Sequence, residues 1–138
     1  MDDAVIRRVL TQTKRIALVG ASAKPERASY EVMAFLLARG FEVTPVNPGL
    51  AGQEILGQRV VATLAEAAPL DMVELFRRSE EVMAPVEEAI RLGARTVWMQ
   101  LGVVNEAAAE KARAAGLTVV MDRCPAVEIP RLGLQNMA

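Results

Sequence analysis

The stretch "RIALVGASAKPERASYE", Arg15 to Glu31, runs an apolar segment into a single glycine, a short basic loop and the opening of a helical pattern. Strand, turn and helix in that order begin a parallel α/β unit, and the turn is where such units most often hold an anion. Gly20 allows a sharp change of direction, and Ser29 is placed to cap the helix that follows, so free amides and the positive end of the dipole would face the loop. Lys24 and Arg27 add formal charge. Two readings stay open at this point: a phosphate cradle, or a solvated connection in which Gly20 merely turns and both cations point to water.

Outward from this unit, short β-branched runs alternate with helical patterns. Strand candidates are 15–21, 42–48, 59–63, 71–76, 96–102 and 117–122, and most are continuous apolar runs of the kind found in strands covered on both faces. Val32, Phe35 and Leu36 form one side of the helix after Ser29, and Gly40 sits where a left-handed residue closes it. Thr63 and Glu66 have capping-box spacing before a short helix that must end ahead of Pro69. Ser79 precedes Glu80 and Glu81, with Pro85 late enough that regular helix would begin nearer Ala84. Asn105 caps an alanine-rich helix that Gly116 ends, and a further helix precedes the first strand. The connection "GLAGQEILGQ" has no helical pattern. Together these predict an open, doubly wound, mostly parallel α/β sheet of five to six strands with helices on both faces, residues 1–138 forming a single domain. The apolar tail "IPRLGLQNMA" is expected to pack on the body or on a second subunit.

The dinucleotide fingerprint Gly-x-Gly-x-x-Gly, with an acid about 20 residues on, is a useful control. After Gly20 come Ala21, Ser22, Ala23 and Lys24, without a second or third glycine, and the second strand ends in Val46-Asn47-Pro48 with no acid for the ribose hydroxyls of NAD. A missing carboxylate there makes an adenosine with a 2′- or 3′-phosphate easier to accommodate.

Composition narrows the field. Lysine plus arginine number 16 against 17 carboxylates, so no overall field favours nucleic acid or an acidic membrane, and charge selectivity has to be local. One cysteine, Cys124, allows no internal disulfide; no apolar run reaches the roughly 20 residues of a bilayer span, and the first residues lack a signal-peptide core. A cytoplasmic setting is expected. There is no histidine, which removes the commonest general base and metal ligand.

The motifs V-G-A-S, P-V-N-P-G, Q-L-G-V and D-R-C-P, in this order, carry a family likeness. From about Thr13 to Glu128 the chain strongly resembles the stand-alone CoA-binding domain proteins, which are similar to the N-terminal domain of the succinyl-CoA synthetase α subunit. The resemblance implies a Rossmann-like domain holding coenzyme A, or an acyl-CoA, across the carboxyl edge of the sheet. It implies phosphate contacts from Gly20, Ala21, Ser22, Ala23, Lys24 and Arg27, and a border to the adenosine end from Asn47, Pro48 and Leu50. Leu50 stands where the synthetase has a lysine, which shifts the expected phosphate cations to Lys24 and Arg27. Phe76 and Arg77 after the fourth strand, and Met99, Gln100 and Gly102 at the fifth, carry over as further ligand residues, although Phe76 and Met99 read equally well as core.

Chemistry beyond binding is not visible. The synthetase needs a phosphorylatable histidine and a second domain, and this sequence has no histidine. Cys124 beside Arg123 lacks a base, so a structural thiol is the plainer reading and a mixed disulfide with the CoA thiol the sharper one. Glu80-Glu81 and Glu87-Glu88 read as solvated faces, Trp98 as core, and no metal-ligand spacing appears. The expected protein binds CoA and is non-catalytic by itself, as a homodimer or with a partner enzyme. An NAD(P)-binding oxidoreductase or redox sensor, and a scaffold that docks on a partner enzyme, are the rivals.

Overall fold

The computed structural model describes residues 1–134. Helix α1 (Asp3–Gln12) is capped by Asp2, whose carboxylate accepts from the Ala4 amide at 2.8 Å, and buries Ile6, Val9 and Leu10. Strand β1 (Arg15–Val19) follows, then α2 (Ala28–Ala38). Here the expected cap is corrected: α2 begins one residue before Ser29, with Arg27 at the cap position and no side chain bonded to the free amides. The reason is burial. Ser29 is turned inward rather than back onto the helix end. Gly40, at φ +92°, closes α2 as read.

After β2 (Glu42–Val46), the stretch read as unpatterned loop forms a small antiparallel hairpin of β3 (Glu54–Ile55) and β4 (Gln58–Arg59). Leu56 and Gly57, at φ +52° and +80°, make its turn, and two positive φ values are what a tight hairpin of matching twist requires. The strand expected over 59–63 is therefore mostly absent: only Val61 bridges Val46 at the edge of the main sheet. Thr63 and Glu66 do not make a capping box either. The Thr63 hydroxyl bonds the Glu66 carboxylate at 3.0 Å, and the segment makes only a 3₁₀ turn over Leu64–Ala67.

The remaining elements are β5 (Met72–Leu75), a 3₁₀ turn (Ser79–Glu81), α3 (Met83–Arg91), β6 (Thr96–Met99), α4 (Glu106–Ala114), β7 (Thr118–Val120) and α5 (Pro125–Arg131). Asn105 caps α4, accepting from the Ala108 amide at 2.9 Å, and Gly116 at φ +89° follows its end, both as read. Helix α5 was not anticipated. The described part of the tail packs on the body through Ile129, Leu132 and Leu134, and residues 135–138 lie outside the described residues.

The main sheet has five parallel strands in the order β2-β1-β5-β6-β7. Alternate residues feed two cores. Ala17, Val73, Val97 and Val119 face α3 and α4, while Ile16, Leu18, Met72, Trp98 and Val120 face α1, α2 and α5. At about 1.5–3 kcal/mol for each large side chain fully buried, these two layers hold the sheet rigid between helices. The chain reverses its direction across the sheet between β1 and β5, so the crevice above their carboxyl ends is the topological switch point.

Candidate functional site

Gly20 ends β1 at φ +88° in close contact with the segment after β5. A Cβ at this position would lie 2.1 Å from the Phe76 carbonyl oxygen and 2.9 Å from its carbon, so glycine is required by space as well as by conformation. The Phe76 amide donates to the Val19 oxygen at 2.9 Å and the Gly20 amide to the Val46 oxygen at 3.2 Å, fastening three strand ends together. Asn47 adds the cross-link to the loop: its Nδ2 donates to the Ala21 oxygen and its Oδ1 accepts from the Gly49 amide, each at 2.8 Å. Within the loop, Ser22 Oγ accepts from the Lys24 amide at 3.1 Å.

Above this frame lies an open cavity of about 670 Å³, bounded by the β1–α2 loop, the turn after β2, and the segments after β5 and β6. Gly20, Ala21, Ser22, Lys24, Arg27, Asn47, Leu50, Phe76, Arg77 and Gln100 all line it, which brings together ten of the residues singled out in the sequence. Four placements differ. Pro48 lines an adjoining cavity of about 260 Å³ on the α3 side, which shares Gly20, Asn47 and Arg77 with the first. Ala23 is exposed in the loop without forming a wall. Met99 is fully buried and faces α3 and α4, because strand alternation turns it away from Gln100. Gly102, at φ +82°, shapes the turn by donating its amide to Asp122 Oδ1 at 2.7 Å, while its neighbours Leu101 and Val103 reach the cavity.

The wall is basic. Lys24, Arg27, Arg77 and Arg78 line it with no carboxylate among the lining residues, so a chain of net charge −1 carries a local positive field here. Lys24 and Arg27 have no ion-pair partner among the described residues. Arg77 and Arg78 are tethered instead to Glu81, at 2.5 and 2.9 Å, and Arg78 also lies 3.8 Å from Glu80. The hydrogen bond from Arg77 holds the Glu81 carboxyl below the usual range. Ser79 fixes this segment to the next loop, its hydroxyl accepting from the Val104 amide at 3.0 Å and its carbonyl from Asn105 Nδ2 at 2.9 Å. Arg78 and Ser29 line the cavity but are not among the site residues that the sequence singles out. The signal for Arg78 was its adjacency to Arg77 just ahead of a helix; Ser29 was read as a cap when it is a wall.

Cys124 is 7% exposed, precedes α5, and lines neither cavity. Among the described residues, no group of three or more His, Cys, Asp or Glu is placed to hold a metal ion. No helix among them is long and apolar enough to cross a membrane.

A Rossmann-like α/β sheet with a basic cavity at its switch point defines the class of protein. Residues 14–130 match the family model described as CoA binding domain, and the chain belongs to that family. It is 41% identical over 122 residues to the protein YneT of Bacillus subtilis (strain 168), covering 88% of this chain and 89% of that one. The solved structure of a hypothetical protein from Pyrococcus horikoshii OT3 is 42% identical, with TM-score 0.89 over 96% of this chain and 92% of the other. The fold also recurs in the dinucleotide-forming acetyl-coenzyme A synthetase 1 of Ca. Korarchaeum cryptofilum, with TM-score 0.69 at 20% identity, over 82% of this chain and 27% of that protein.

Proposed function

We propose that the protein binds coenzyme A or an acyl-CoA in the cavity above β1 and β5, with no catalytic step of its own. Membership of the CoA binding domain family supports the ligand class. The observation that carries the reading is the wall itself: four cations, no carboxylate, and a glycine whose lack of a side chain lets the loop close onto the Phe76 backbone. Coenzyme A presents a pyrophosphate and a 3′-phosphate, which match guanidinium, ammonium and amide donors. Lys24 and Arg27, unspent on other groups, are the phosphate cations of this reading. Leu50 and Phe76 give the adenosine and the arm apolar surface to lie against.

The residues are a poor match to NAD. Asn47 occupies the place of the ribose-binding acid, and both ends of its amide are already bonded to the backbone. The absence of histidine and the burial of Cys124 favour binding over catalysis.

Calorimetric titration with coenzyme A, dephospho-CoA and NADH tests this. Coenzyme A is expected to bind most tightly, dephospho-CoA less so, with the gap closing as salt rises. NADH binding with coenzyme A indifferent would overturn the reading.

A further inference from the structure

Under the floor of the cavity the sheet holds polar atoms that nothing serves. Glu74 in β5 is 0% exposed, and neither of its carboxylate oxygens has a hydrogen-bond partner. Gln100 is 7% exposed and its Oε1 is likewise buried and unpartnered, although the residue forms part of the cavity wall. The strand register sets these two together. Glu74 lies opposite Trp98, and Gln100 is two residues further along, with its amide still donating to Leu75 O; both side chains therefore share the face covered by α2 and α5. Diagonal neighbours of this kind have backbones about 7–8 Å apart, within reach of two long side chains.

The surroundings supply no strong donor. Leu18 of β1, Val32, Met33 and Leu36 of α2, and Ile6, Val9 and Leu10 of α1 make up the same apolar layer. Trp98 Nε1 is spent on the Arg123 oxygen at 2.8 Å. From α5, Glu128 is held by Arg131 at 2.9 Å and Arg123 at 3.7 Å, which leaves Cys124 as the titratable group facing Glu74. Burial first, and the Cys124 charge second, push the Glu74 carboxyl well above the usual carboxylate range. An ionised Glu74 would set acceptors against an acceptor; a protonated one has a single donor to give, and Gln100 Oε1 is the acceptor that lacks one. With that oxygen held toward the core, the amide NH₂ of Gln100 is presented to the cavity.

We propose that Gln100 donates to a carbonyl oxygen on the arm of the bound ligand, and that a proton on Glu74 beneath it fixes the orientation of its amide. The proposal rests on the coenzyme A reading, since the amide carbonyls of the pantetheine arm are the acceptors it names. Glu74 is then a positioning residue. It sits under the site at a cost in stability, because a carboxyl buried in an apolar layer with a single hydrogen bond leaves its other oxygen unpaired.

The test uses the intact protein, titrated calorimetrically with coenzyme A and with adenosine 3′,5′-bisphosphate, which lacks the arm. Gln100→Leu is expected to weaken coenzyme A about tenfold, or about 1.4 kcal/mol, and to leave the bisphosphate unchanged. Glu74→Gln, whose amide can still donate to Gln100 Oε1, keeps the wild-type affinity. Glu74→Leu reproduces the Gln100→Leu loss while unfolding at the same temperature as wild type or higher. As the pH is raised, wild-type affinity falls when Glu74 loses its proton, and that fall is missing from the Glu74→Gln profile. Equal losses for both ligands in Gln100→Leu, unchanged coenzyme A binding in Glu74→Leu, or a loss in Glu74→Gln as large as in Glu74→Leu would overturn the assignment. If the wild-type protein takes neither ligand, the coenzyme A reading falls and this one with it; if wild type and Gln100→Leu take coenzyme A equally, only the Gln100 assignment falls.

Discussion

At the amino ends of the strands, Asp71 accepts from the Lys14 and Arg15 amides at 3.0 Å each, and Arg15 pairs with Glu42 at 3.4 Å. At the carboxyl ends, Lys24 and Arg27 face a cavity without an ionic partner among the described residues, and Gln100 and Glu74 hold buried oxygens that bond nothing. The same five strands thus end in local satisfaction on one side and in unmet demand on the other. The first edge has one exception, Arg39 at the end of α2, whose buried Nε has no hydrogen-bond partner although its guanidinium lies 3.9 Å over the Phe35 ring. The second edge departs further from otherwise consistent design, and such a departure is where a site is expected.

The contrast is broken most severely by Gly20→Val. Its side chain would collide with the Phe76 backbone at a φ of +88°, so the denaturation midpoint should show a loss of about 2–4 kcal/mol and coenzyme A binding should vanish. Wild-type stability in that variant would mean the crevice can reshape. A Lys24→Ala, Arg27→Ala double change should leave unfolding untouched and weaken coenzyme A by about 1–3 kcal/mol per contact removed, measured by calorimetry. Preserved affinity would instead favour a scaffold that docks on a partner.

The opposite edge should respond in the opposite way. Asp71→Ala should lower stability by about 1–2 kcal/mol, discounted for partial exposure, and leave ligand affinity alone. Burial raises the Asp71 carboxyl, but hydrogen bonds from the Arg15 and Lys14 amides outweigh it and hold it below the ordinary value. A carboxyl lowered in the folded state contributes stability above its unfolded value, which disappears as pH falls through the folded one. Wild type should therefore lose stability on acidification below about pH 4, and Asp71→Ala should lose less. The smallest effect expected is from Glu81→Gln, which loosens the tether on Arg77 and Arg78 and should shift coenzyme A affinity by less than about threefold. A tenfold loss would make those arginines, rather than Lys24 and Arg27, the principal phosphate cations.

Much of this architecture was legible, and the misreadings have physical causes. Continuous apolar runs identified strands covered on both faces, and every strand of the main sheet lies within such a run. The run over 59–63 misled because Val60 is buried by the hairpin connection and Val61 makes one bridge, which apolarity alone cannot tell from a paired strand. Helix α5 has no helical pattern in the sequence to mark it, with Pro125 in its first turn, where proline is well suited, and Pro130 near its end. Ten of the site residues meet in one cavity because the strand–loop–helix order fixes where the crevice opens. Gln100 was reached through family likeness alone. Glu74 had a signal that went unused: a mid-strand acid in a sheet covered on both faces has to be buried, whatever its charge.

Trp98 is the chain's single tryptophan, fully enclosed, lying across from Glu74 and one strand step below Gln100. Its indole emission is therefore a built-in optical gauge of that spot. A carboxylate forming beside the ring, or an amide above it being immobilised, would alter the fluorescence of unlabelled protein at micromolar concentration, without a dye or a substrate.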